Sequence, residues 1–141
     1  MTKAELYELL KRIDRQYWGK IGNMISDTAF LDAWYEDMAG YDNELITDLY
    51  RKYDDPNFPP TAKYFTINAE KELKELDTFY LECANEIFYF ATESVAEIRA
   101  FIREYESKVP YNKRREVMES AVKRFRQENI EEKASFKGWL K

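Results

Sequence analysis

Apolar residues recur along this chain at helical spacing almost from the first position. Leu6, Leu9, Leu10, Ile13 and Tyr17 fall at intervals of three and four, behind a Thr2-x-x-Glu5 step. That step is a capping box: each side chain satisfies a backbone donor of the other residue, so a first helix starts there. Gly19 and Gly22 mark its end. Ser26-Asp27-Thr28 supplies cap candidates for a second helix, on which Phe30, Trp34 and Met38 share a face. Gly40 is its natural stop. A third helix opens near Asp42, with Leu45, Leu49 and Tyr53 on one face and Ile46 and Tyr50 beside it. Asp54-Asp55-Pro56-Asn57 is turn chemistry. Pro59 and Pro60 suit the opening of a fourth helix, where the missing N–H is not needed. The core expected for residues 2–67 is Leu9, Leu10, Ile13, Phe30, Trp34, Leu45, Leu49 and Phe58.

Beyond residue 67 the pattern tightens. Ala69, Leu73, Leu76, Tyr80, Cys83, Ile87 and Phe90 step by 4, 3, 4, 3, 4, 3, an a/d repeat of about three heptads. Val95, Ile98, Ile102, Tyr105 and Val109 continue it in a shifted register. The shift is either a stutter within one long helix or a helix break. The second capping box, Ser94-x-x-Glu97, favours the break. Such a stripe needs covering, either by a hairpin partner or by a second copy of the chain. Pro110 ends this region, and a last helix is expected from near Asn112, with Val117, Ala121 and Phe125 inward. No β-type alternation occurs. The predicted fold is all-α: a bundle of short helices over 2–67, a long heptad-patterned amphipathic segment over 68–109, and a basic helical segment over 110–141.

Composition narrows the functions. The 141 residues include one cysteine and no histidine. The lack of histidine removes the commonest general base and metal ligand, and every Ser-His or Cys-His nucleophile. Cys83 lies on the apolar stripe and reads as a buried, inert thiol in a reducing compartment. Glu72-x-x-Glu75 places two carboxylates on one helix face, as all-helical nucleotide pyrophosphohydrolases do, but no Glu-x-x-Asp partner follows, so they read as a solvated face. No phosphate-binding Gly-x-x-x-x-Gly-Lys loop and no zinc spacing occurs. No apolar run reaches the roughly 18 residues of a membrane span, and the N-terminus carries no signal pattern. The expectation is a cytosolic binding protein with no catalytic residues, cofactor or metal.

Charge adds a gradient. Residues 1–67 carry 8 basic and 12 acidic side chains (−4), residues 68–106 carry 4 and 10 (−6), and residues 107–141 carry 10 and 5 (+5). Lys113, Arg114, Arg115, Lys123, Arg124 and Arg126 make the last helix basic, with Phe125, Phe136 and Trp139 interleaved. These cations are candidates for single-stranded DNA or an acidic partner, through phosphate contacts and stacking. Equally they read as the solvated face of an amphipathic helix. The acidic residues 1–106 also fit a phage counter-defence inhibitor of a host nucleic-acid enzyme, one that imitates a phosphate backbone. Phe136, Trp139 and Leu140 are candidate anchors for a protein partner, since a small domain has little surface to cover all 23 of its aromatic side chains; equally they read as folding back onto the helices of 68–109.

Residues 2–67 resemble the N-terminal helical domain of the bacteriophage replicative-helicase loader/inhibitor family. The resemblance lies in the first helix TKAELYELLKRIDRQY, in Trp34 on an aromatic-bearing second helix, in Tyr41-Asp42-Asn43-Glu44-Leu45, and in Phe58-Pro59-Pro60-Thr61. It implies an adaptor in host cytoplasm that binds a replicative DNA helicase, or another replication protein, and loads or inhibits it. In that family a flexible C-terminal tail engages the helicase, whereas residues 68–109 here are strongly periodic. The resemblance therefore moves the expected contact to this extension or to the segment after Pro110.

Overall fold

The computed structural model describes residues 1–140. It is all-α, with eight helices and no strand among those residues: α1 (Lys3–Gln16), α2 (Gly22–Ile25), α3 (Thr28–Met38), α4 (Asn43–Lys52), α5 (Ala62–Phe88), α6 (Val95–Glu106), α7 (Arg114–Glu128) and α8 (Phe136–Trp139). A 3-10 turn, Tyr111–Lys113, leads into α7. Instead of three segments the chain forms two compact units, Met1–Glu72 and Leu73–Lys141. Their boundary falls inside α5, so the heptad segment is divided between them.

In the first unit the helix starts follow local capping chemistry. Thr2 and Glu5 form the reciprocal box, Asp27 accepts from the Ala29 amide, and Asp42 accepts from the Glu44 amide. The double proline does not sit in a helix. Thr61 takes the capping role, its hydroxyl accepting from the Tyr64 amide at 3.2 Å, and α5 begins at Ala62. The reason is steric: a residue preceding proline is pushed out of the helical region, so the two prolines hold an extended approach to the cap.

Leu6, Leu9, Leu10 and Ile13 of α1 are buried with Met38, Leu45, Ile46, Leu49, Tyr50, Phe65 and Ala69. Hydroxyl groups tie the aromatic positions together. Tyr64 donates to the Leu49 carbonyl at 2.7 Å, Tyr50 to the Gln16 side chain, and Tyr41 to Glu70. The Glu70 bond pushes the Tyr41 pKa up to about 12. Three core expectations fail. Phe30 and Trp34 are half-buried, packed on each other and, through Trp34, against Phe65 in a T-shaped contact at 6.1 Å. Phe58 is 68% exposed. Asp55 explains it: its carboxylate accepts the Asn57 and Phe58 amides, which turns the chain so that the ring points away from the bundle.

The second unit resolves the register shift as a break. α5 ends at Phe88, and α6 starts at Val95 behind Ser94, whose hydroxyl accepts from the Glu97 amide. Asp77 of α5 holds both Arg99 (2.6 Å) and Arg103 (2.7 Å) of α6, fixing the pair as an antiparallel hairpin. Leu76, Tyr80, Cys83, Ala84 and Ile87 are covered by Ile98 and Ile102 and by Met118, Ala121, Val122 and Phe125 of α7. The stripe is thus satisfied within the unit. Met118 and Val122 join the core although only Val117, Ala121 and Phe125 were expected there, and Val117 is half-buried.

Candidate interaction surfaces

The C-terminal aromatics are not free anchors. Phe136 is 0% exposed, and Trp139 and Leu140 pack against the same core. Phe136 meets Phe125 edge-on at 5.3 Å and stacks with Trp139 at 6.1 Å. The Trp139 indole N–H donates to Glu128, and the Arg124 guanidinium lies 5.1 Å above its ring. What fastens this short segment is Glu93, more than forty residues earlier. Its carboxylate accepts the Phe136 amide (2.8 Å), the Lys137 amide (2.9 Å) and the Ser135 hydroxyl (3.0 Å). A backbone bridge between Ala91 and Ala134 completes the attachment. Phe136 folds back into the core while Trp139 and Leu140 stay half-buried, and the partners that cover Phe136 are distant in sequence.

Burial alone would raise the Glu93 pKa, but the three donors outweigh it and hold the carboxyl below the usual glutamate value of 4.5. A depressed folded pKa means that the stabilisation is fully present above the unfolded value and is lost as pH falls through the folded one. Glu93→Gln is therefore expected to cost about 1 kcal/mol at pH 7, the usual worth of a helix cap. The gap from the parent in thermal melts should close as pH falls below about 4.5. A gap independent of pH would remove the charge of Glu93 from the account.

The six basic candidates do not form one face. Arg114 lies over Tyr111 and donates to the Val109 carbonyl, Arg115 lies over Phe79, and Arg124 over Trp139. All of the six except Arg114 are exposed. Lys123 and Arg126 line a groove of about 320 Å³ between α5 and α7, opposite Glu82 and Glu86. Cys83 lies at the bottom of that groove, where burial and then Glu86, Glu119 and Glu82 push its pKa up to about 12, so the thiol stays protonated. No group of three or more His, Cys, Asp or Glu side chains that could hold a metal ion occurs among the described residues. Nor is any helix long and apolar enough to cross a membrane.

The most conspicuous side chain was not singled out from the sequence. Trp18 is 93% exposed and stands at φ 58°, in the left-handed region. It follows Tyr17, the cap of α1, and the Gly19 amide bonds back to the Asp14 carbonyl at 2.8 Å. This is the Schellman closure of a helix, with tryptophan in the position that glycine normally takes. The Tyr17 hydroxyl donates to the Asp55 carbonyl at 2.6 Å. Lys20 donates to the Asn57 carbonyl and lies 5.6 Å above the Phe58 ring. The loop bearing Trp18 and the loop bearing Phe58 are thus bound side by side, and both aromatics face solvent. The sequence signal was there: a helix that ends before Trp-Gly, not at the glycine.

No family model, curated protein or solved structure matches this chain.

Proposed function

We propose that the chain is a replication adaptor that binds a replicative DNA helicase, loading or inhibiting it, through the Trp18–Phe58 corner of Met1–Glu72. The resemblance of residues 2–67 to the phage helicase loader/inhibitor family supports the partner class, and Phe58 belongs to the step that carries it. The observation that carries the contact is the conformation of Trp18. A bulky residue held in left-handed backbone costs about 1–3 kcal/mol, and at 93% exposure it gains almost no packing in return. Tryptophan is the residue type most enriched among the side chains that dominate protein interfaces. The corner replaces Phe136, Trp139 and Leu140 as the proposed anchor.

The test is binding to a purified hexameric replicative helicase. The parent protein is expected to bind, and the pair Trp18→Ala and Phe58→Ala to weaken binding by at least about tenfold, the loss of one strong interface residue. Since the contact is largely apolar, raising salt from about 50 to 200 mM should change affinity little, whereas contacts to several DNA phosphates would lose orders of magnitude. No binding by the parent protein would end the helicase reading. Equal binding by the variant would move the contact off this corner.

A further inference from the structure

The groove between α5 and α7 has an uneven distribution of charge. Its floor is apolar, from Phe79, Cys83 and Val122. Its α5 wall carries Glu82 and Glu86; its α7 wall carries Lys123 and Arg126, with Glu119 one turn before Lys123. All five charged side chains are exposed. The ion pairs of this unit, Asp77 with Arg99 and Arg103, join α5 to α6 instead. The groove therefore holds an acidic row and a basic row whose charges are uncompensated by ion pairs among the described residues.

The two walls run in the same direction. Arg115, near the start of α7, lies over Phe79, and Lys133, just beyond the end of α7, lies over Phe88 at the end of α5. For parallel walls, the position of a two-fold axis decides which charges meet. An axis across the groove would set Glu82 and Glu86 against the same residues of the other copy. An axis along the groove sets them against Lys123 and Arg126 of that copy, twice over. Such a self-complementary patch is what a closed two-fold interface requires. We propose that a second copy of this chain docks in the groove, with the two-fold axis parallel to α5 and α7. This proposal stands independently of any helicase contact.

Sedimentation velocity over a wide concentration range at low salt tests it. The parent protein should self-associate to a dimer, and added salt should weaken that dimer, because the rows are exposed. Glu82→Lys with Glu86→Lys makes both rows basic, and Lys123→Glu with Arg126→Glu makes both acidic. Each double variant alone should lose self-association by at least about tenfold, since like charges then face each other. An equimolar mixture of the two should form a dimer again, because the acidic rows of one variant meet the basic rows of the other. Circular dichroism of each variant checks that the helices are intact. A parent protein that stays monomeric at the highest concentration, variants that dimerise as well as the parent, or a mixture that does not associate would each overturn the proposal.

Discussion

Phe136→Ala is expected to destabilise Leu73–Lys141 by about 3–5 kcal/mol, the range for deleting a fully buried phenylalanine. The size of the effect follows from placement. The four-residue helix α8 is far too short to persist on its own, so its position depends on the ring between Phe125 and Trp139 and on the Glu93 carboxylate. Removing the ring leaves a cavity against Phe125 and loosens Trp139 together with it. Thermal melts followed by near-ultraviolet circular dichroism, to which the packed Trp139 contributes, check this. An unchanged melt would place Phe136 outside the core. The same packing changes what a truncation would mean. Cutting after Glu132 removes part of the core of the second unit, so lost binding in such a protein would report damage to the unit and not the loss of an anchor.

The second large effect belongs to the first unit. Phe65→Ala should cost about 3–5 kcal/mol, because Phe65 is fully buried and makes T-shaped contacts with both Trp34 and Tyr64. Trp34→Ala should cost less, about 2 kcal/mol, since much of that side chain stays in water and its transfer term is correspondingly smaller. Paired denaturant melts of the two variants give the order directly. A larger loss for Trp34 would mean that the ring seals the bundle more completely than its half-buried position implies.

What could be read from the sequence was what local chemistry decides. Thr2, Asp27, Asp42 and Ser94 are helix caps because a short polar side chain there satisfies amides two or three residues on. The all-α class followed from apolar spacing, and the break before α6 from the second capping box. Asp42 and Thr61, each within a step singled out from the sequence, are further such caps, opening α4 and α5. The failures are non-local. The burial of Phe136 depends on Phe125 and on Glu93, a separation no periodicity reveals. The exposure of Phe58 depends on an Asp55 turn that overrides its apolar character. The basic stretch looked continuous in one dimension, but three of its guanidinium groups lie over aromatic rings, and Lys123 and Arg126 belong to a groove wall. Trp18 was hidden by its neighbour: Gly19 drew attention as the helix stop, while the left-handed backbone begins one residue earlier, at the tryptophan.

The proposal that Trp18 is held outward for a partner gives one direct measurement. Trp18→Gly relieves the left-handed backbone, worth about 1–2 kcal/mol, against up to about 1 kcal/mol of added unfolded-state freedom for glycine. The exposed indole contributes little that could be lost. Melting temperature and affinity for a purified replicative helicase should be measured on the same preparation. The expected result is a variant at least as stable as the parent, with binding weakened by about tenfold or more. A Trp18→Gly protein that binds as tightly as the parent, or that melts several degrees lower, would contradict it, because Trp18 would then serve the fold and not a partner.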